Sequence, residues 1–217
     1  MEDKLKAEIL VVDDHCLILE GVCKIVNSMA DVIVADAVTS GLKASELIEK
    51  RDYDIYILDV NMPEVNGFDL IKKIRELNEN ARIIIYTMHE EVWIVNRLAQ
   101  SQVNAIVLKS SSAMELMDAV QRVLLGESYA CARFENILQK LHRSSAALQP
   151  KDIPTKREYD VLQAVAKGLN THEIARLLNI TENTVETFRK RLIRKFEAKN
   201  AIDMVVKAVS QGLISVE

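Results

Sequence analysis

Over the first 125 residues, short apolar runs alternate with longer amphipathic stretches, and this alternation constrains the fold more than any other feature of the chain. The runs are "AEILVV" (7–12), "VIVADA" (32–37), "DIYIL" (54–58), "RIIIYT" (82–87) and "NAIVL" (104–108). They are too short for helices and rich in β-branched residues, so they read as strands. Helical patterns fill the gaps, around residues 16–28, 41–50, 67–78, 90–101 and 113–125. Ser112 with Glu115 three residues later forms a capping box for the last of these. Five βα units of this length predict an α/β domain: a doubly wound, five-stranded parallel sheet with helices on both faces.

Residues 126–150 change character. "GESYACARF" has no period, "ENILQKLHR" suits a short helix, and "SSAALQP" reads as a linker. After Pro154 the pattern is purely helical. Thr155 and Glu158 form a second capping box before "YDVLQAVA", and Gly168 supplies a stop. "HEIARLL", "ENTVETFRKRLIRKF" and "IDMVVKAVSQGL" complete four helices. The expected organisation is therefore an α/β domain over 1–125, a linker over 126–150 and a small all-α domain over 151–217.

Charge divides the same way. Residues 1–149 carry 16 basic and 23 acidic groups, a net of −7, whereas residues 150–217 carry 12 and 9, a net of +3. A basic second half is compatible with a polyanionic partner. Three cysteines without metal-like spacing fit reduced intracellular thiols. The amino terminus lacks a signal-peptide core, and no apolar run approaches the roughly 18 residues of a membrane span. A cytoplasmic protein with no membrane partner is expected.

The predicted strand ends carry the chemistry. The first ends in Asp13-Asp14, the third in Asp59, the fourth in Thr87 and the fifth in Lys109. In a doubly wound sheet these ends converge on one edge. Three carboxylates so gathered repel one another, and a hard divalent cation such as Mg²⁺ resolves that. Lys109 supplies a fixed positive charge that can pair with Asp59 or with phosphoryl oxygens, and Thr87 can donate to the same oxygens. The parts suit phosphoryl transfer onto the Asp59 carboxylate. No glycine-rich phosphate loop follows any strand, which disfavours nucleotide binding. His15, beside the cluster, has no partner at ligand spacing and is expected only to start a helix.

The segments "LVVDDH", "ILDVNMPEVNGFDL", "YTMHE" and "VLKSS" resemble the receiver domain of bacterial two-component response regulators, a flavodoxin-like fold, over residues 7 to about 125. The resemblance implies that Asp59 accepts a phosphoryl group from a histidine kinase. It also implies that Asp13, Asp14 and Asp59 hold Mg²⁺ with the Asn61 backbone carbonyl, and that Thr87 and Lys109 contact the phosphoryl oxygens. Two positions depart from the pattern. Ile106 replaces the usual fifth-strand aromatic, and Ser110 the proline that often follows the lysine. Tyr86 is no simple substitute for that aromatic, because strand neighbours point to opposite faces.

On a helical wheel of residues 182–196, Val185, Phe188, Leu192 and Phe196 share one face. Asn183, Glu186, Thr187, Lys190, Arg191 and Arg194 form the opposite stripe, and Arg189 lies at the edge. A short helix, a tight "NIT" turn and then a basic helix is the pattern of a helix-turn-helix. Residues 153 to about 215 resemble the LuxR-type DNA-binding domain, and the two halves together the NarL/FixJ class of response regulators. This resemblance implies double-stranded DNA as partner and homodimerisation on it through the "IDMVVKAV" helix. The expected protein is thus a transcription factor rather than an enzyme. Its rivals are a Mg²⁺-dependent phosphohydrolase, which lacks a second acid two residues after Asp59, and an adaptor whose helical half binds protein.

Overall fold

The structure, a computed structural model, describes residues 6–144, 154–210 and 213–214. Backbone proximity divides the chain into two compact units, Met1–His89 with Ser101–Glu135, and Glu90–Gln100 with Asn136–Glu217.

In the first unit, β1 (Ala7–Val12), β2 (Val32–Val38), β3 (Ile55–Leu58), β4 (Arg82–Thr87) and β5 (Ala105–Leu108) pair in parallel in the order β2-β1-β3-β4-β5. The order reverses beside β1, as in a doubly wound sheet. Alternating residues Ile9, Val11, Ile55, Ile57, Ile84 and Val107 join one core with α1 (Cys16–Asn27) and α5 (Ala113–Leu124). The intervening Leu10, Leu58, Ile83 and Ile85 are equally buried and point to the other face. Burial on both faces is why the runs read as apolar throughout instead of alternating. α2 (Gly41–Lys50) and α3 (Gly67–Leu77) contribute nothing to the α1–α5 core. Lys73 of α3 joins them by donating to Ser45 of α2. α4 (Val92–Gln100), the crossover from β4 to β5, is grouped with the second unit.

The sheet has six strands, not five. β6 (Tyr129–Ala130) pairs in parallel with β5, where the Tyr129 N–H donates to the Asn104 carbonyl at 2.9 Å and the Cys131 N–H to the Ile106 carbonyl at 3.0 Å. Two residues are too few to display a period, so this strand has no sequence signature and depends on the free edge of β5. α6 (Ala132–Ser144) follows and is longer than the short helix expected there. Residues 145–150 of the expected linker lie outside the described residues.

The second unit contains α7 (Lys156–Ala166), α8 (Thr171–Leu178), α9 (Glu182–Lys195) and α10 (Ala201–Ser210). Val161, Leu162, Ile174, Val185, Leu192 and Met204 are fully buried and form its core. The expected capping boxes of α5 and α7 are both made, and Asn170 with Glu173 caps α8 in the same way. Asn179 ends α8 at a φ of 50°, a left-handed conformation that asparagine tolerates, and thereby makes the tight turn into α9.

Glu158 is only 4% exposed. Its carboxylate accepts from the Thr155 N–H at 2.9 Å and from Lys195 Nζ at 2.7 Å, so one buried charge ties α9 to α7. Burial alone raises the Glu158 pKa, but the Lys195 ammonium and the Thr155 donors outweigh it and hold the group below its ordinary value of 4.5. A depressed carboxylate pKa adds stability above the unfolded value and loses it as pH falls through the folded one. Glu158→Gln is therefore expected to cost about 1–3 kcal/mol at neutral pH and to flatten the acid limb of stability below about pH 4.5. Urea midpoints of the two full-length proteins across that range test this; parallel acid limbs would contradict it.

Candidate functional site

The site of the first unit is built by register. Val12 pairs with Leu58, and Thr87 with Leu108, so the strands end at levels that bring the next residues together. The Asp59 N–H donates to the Val12 carbonyl at 2.9 Å and the Lys109 N–H to the Thr87 carbonyl at 2.7 Å. Lys109 Nζ then lies 2.7 Å from Asp13 Oδ2 and 2.9 Å from Asp59 Oδ2. Asp13, Asp59 and Thr87 are all buried, Thr87 completely. The Thr87 hydroxyl accepts from the His89 N–H at 3.3 Å. Asn61 is exposed on the loop after Asp59.

The charges perturb one another. Burial disfavours the Lys109 ammonium, yet Asp13 and Asp59 hold its pKa above the ordinary lysine value. Burial pushes the Asp13 carboxyl up against the pull of Lys109. Asp13 is fully engaged, because its Oδ1 accepts from the His15 N–H at 3.0 Å while Oδ2 meets Lys109. Asp14 differs: its Oδ1 is buried with no hydrogen-bond donor among the described residues. One ligand atom each from Asp13, Asp14, His15 and Asp59 lies within 4.8 Å of the others. An unsatisfied buried carboxylate oxygen within such a donor set fits an oxygen-seeking divalent cation. His15, expected only to start a helix, thus joins the cluster. The one sequence signal for it was its place directly after two acids at a strand end.

On α9 the expected packing side holds for Val185, Leu192 and Phe196, which are buried, whereas Phe188 is half-buried. Asn183, Thr187, Lys190, Arg191 and Arg194 are exposed. Thr187 Oγ1 donates to the Asn183 carbonyl at 2.9 Å. Glu186 is half-buried, and its Oε1 accepts from the Thr171 hydroxyl at 2.7 Å. Arg189, ambiguous on the wheel, donates to the same Thr171 oxygen at 3.0 Å and fastens α9 to the start of α8.

Compared with known proteins, residues 9–121 match the family described as "Response regulator receiver domain", and residues 153–208 match "Bacterial regulatory proteins, luxR family". The chain is a response regulator. It is 31% identical over 210 residues to the nitrate/nitrite response regulator protein NarL of Escherichia coli K12, covering 95% of this chain and 96% of NarL. It is 27% identical over 228 residues to the transcriptional regulatory protein DegU of Brevibacillus brevis, covering 97% of this chain and 96% of DegU. Among solved structures it is similar to RcsB of Salmonella enterica serovar Typhimurium bound to promoter P1flhDC with the phosphomimetic BeF₃⁻. That likeness has a TM-score of 0.64 and 25% identity, and covers 94% of this chain and 98% of that one. This response regulator is a phosphorylation-regulated transcription factor with a LuxR-type DNA-binding domain, and the hydrolase reading falls. No helix among the described residues is long and apolar enough to cross a membrane.

In this response regulator Ile106 is buried and pairs with Ile85, while Tyr86 belongs to the α1–α5 core on the opposite face. No aromatic ring therefore occupies the fifth-strand position.

Two glycines permit close approaches along the loop that follows Asp59. A Cβ on Gly67 would meet the Asp59 carbonyl oxygen at 2.2 Å, and one on Gly41 the Val65 carbonyl oxygen at 2.0 Å. Asn66 caps α3 at this point by accepting from the Phe68 and Asp69 N–H groups, and the Gly67 N–H donates to the Val60 carbonyl at 2.9 Å. Gly21, inside α1, has nothing within 4 Å of its would-be Cβ. Gly67→Ala is expected to lower stability by about 1–3 kcal/mol through forced backbone movement. Gly21→Ala should raise it by about 0.5–1 kcal/mol through helix propensity. Paired urea denaturation checks both signs, and equal effects would show that the Gly67 contact is unimportant.

Proposed function

We propose that Asp59 is the phosphoacceptor of this response regulator, taking a phosphoryl group from a histidine kinase, with DNA binding by the second domain controlled by that modification. The observation that carries the reading is Lys109 joining Asp13 and Asp59 through one buried ammonium. Asp13, Asp14 and Asp59 with the Asn61 carbonyl would hold Mg²⁺, and the unsatisfied Asp14 Oδ1 supports that fit. The cation supplies neutralisation of the charge that gathers as a phosphoryl group approaches a carboxylate. Asp59 presents its carboxylate oxygen for attack, and Lys109 and the Thr87 hydroxyl meet the phosphoryl oxygens. A change in their contacts with phosphorylation state biases the population of DNA-competent molecules.

The domains of this reading are a receiver over 1–125, a linker over 126–150 and a DNA-binding domain over 151–217. In the last, α9 enters the major groove with Thr187 and Lys190 toward base edges and Arg191 and Arg194 toward phosphates. Asn183 extends the stripe at its start. Glu186 contributes by its remaining capacity to accept from cytosine, because one oxygen is committed to Thr171. The exposed Ile202, Val206 and Val209 of α10 suit a second copy of the chain, giving a homodimer on double-stranded DNA. The setting is cytoplasmic.

Incubation with a small phosphodonor and Mg²⁺ should add one acid-labile phosphate, and Asp59→Asn should abolish it. Undiminished labelling of that variant would overturn the assignment. On DNA, Lys190→Ala should cost about 1–3 kcal/mol and relax preference at one base pair. Arg194→Ala should weaken all sequences alike and reduce the salt slope by about one. Titration of a selected and a scrambled site at several salt concentrations separates the two roles. Binding of neither DNA by the phosphorylated wild type would favour a protein partner for the helical half.

A further inference from the structure

The His15 ring caps no helix and faces the acidic pair at the end of β1. His15 is the N-cap residue of α1, in extended conformation, and its side chain makes no capping hydrogen bond. Its backbone N–H is held by Asp13 Oδ1 at 3.0 Å, which fixes where the ring starts. Nδ1 lies 2.8 Å from Asp14 Oδ1 and 3.5 Å from Asp13 Oδ1, with half of the side chain open to solvent. At 2.8 Å an imidazole N–H aimed at the carboxylate would satisfy it, yet Asp14 Oδ1 has no donor. The two atoms lie side by side instead of one pointing at the other.

Side-by-side placement is the geometry of adjacent ligands. With metal–ligand distances of about 2.0–2.1 Å, neighbouring corners of an octahedron are about 3 Å apart and opposite corners about 4.2 Å. Asp14, His15 and Asp59 each offer an atom within 4.8 Å of the others, a spread that small side-chain rotations bring to a shell of this size. The donor set is mixed, and donor chemistry decides between cations. Carboxylates and carbonyls suit Mg²⁺, whereas an imidazole adds affinity for first-row ions such as Co²⁺ and Ni²⁺ and little for Mg²⁺.

We propose that His15 is a cation-selecting ligand of the acidic pocket: its Nδ1 joins Asp14 and Asp59 around Co²⁺ or Ni²⁺, so the pocket takes these ions as well as Mg²⁺. This rests on the metal-binding reading of the pocket above. It makes occupancy of the receiver responsive to the supply of borderline divalent cations, with His15 as the discriminating residue.

The test is titration of the full-length chain with Co²⁺ and with Mg²⁺ by calorimetry, counting only Co²⁺ that excess Mg²⁺ displaces, so that binding by other histidines is set aside. Visible absorption of the bound Co²⁺ is recorded in parallel. His15→Asn should weaken displaceable Co²⁺ tenfold or more, shift its absorption bands, and change Mg²⁺ affinity by less than about twofold. Asp14→Asn should weaken both cations. If His15→Asn weakens both equally or changes neither, or leaves the Co²⁺ bands unmoved, His15 is no ligand and the proposal is wrong. If instead Asp14→Asn leaves both affinities intact, the pocket is not the metal site, and the underlying reading fails separately.

Discussion

The Lys109 side chain is 2% exposed and places its ammonium between Asp13 and Asp59, so the ends of β1, β3 and β5 meet around one buried positive charge. Burial and the neighbouring Asp59 charge push the Asp13 carboxyl up, and the Lys109 ammonium opposes them. The trio adds little net stability, since burying charges costs about as much as their attraction returns. Its effect is to hold the Asp13 and Asp59 carboxylates in fixed positions around one ammonium. The elevated Lys109 pKa keeps the ammonium in place throughout the neutral range. The register of the strands, the Gly67 approach to the Asp59 carbonyl and the Asn66 cap all serve to hold this arrangement.

The second unit uses the same device for another purpose. The Glu158–Lys195 pair fastens the end of α9 to α7, and the Arg189–Thr171–Glu186 contacts fasten its middle to α8. With its attachment handled by these groups and by Val185 and Leu192, α9 leaves Lys190, Arg191 and Arg194 unburied. Charged groups thus divide into those that position the helix and those free to meet an anion. A net charge of only +3 over residues 150–217 means that selectivity on DNA has to arise from particular contacts.

Strands β1 to β5, the helices among the described residues and the acidic cluster are largely legible, because each rests on local pattern. Continuous apolar runs mark strands buried on both faces, and Ser112–Glu115 and Thr155–Glu158 mark helix starts within four residues. β6 escaped because it has two residues and no pattern of its own. Glu158 read as a cap, which it is, but its second role with Lys195 spans 37 residues and leaves no local trace. Glu186 fell on the polar stripe of the wheel, and periodicity cannot tell an outward carboxylate from one turned back to Thr171.

Which residues end the strands, which face of α9 is apolar, and how charge divides between the two halves can be read along the chain. These are matters of order and period along the chain, set by side-chain hydrophobicity and backbone geometry. Which charges touch is set by the packed fold. That Lys109 reaches Asp13 across 96 positions, that Asp14 Oδ1 has no hydrogen-bond donor among the described residues, and that the His15 ring lies beside it follow from strand register and packing. Electrostatic contacts depend on distances of a few ångströms, and no pattern in the chain encodes a distance between elements brought together by the sheet.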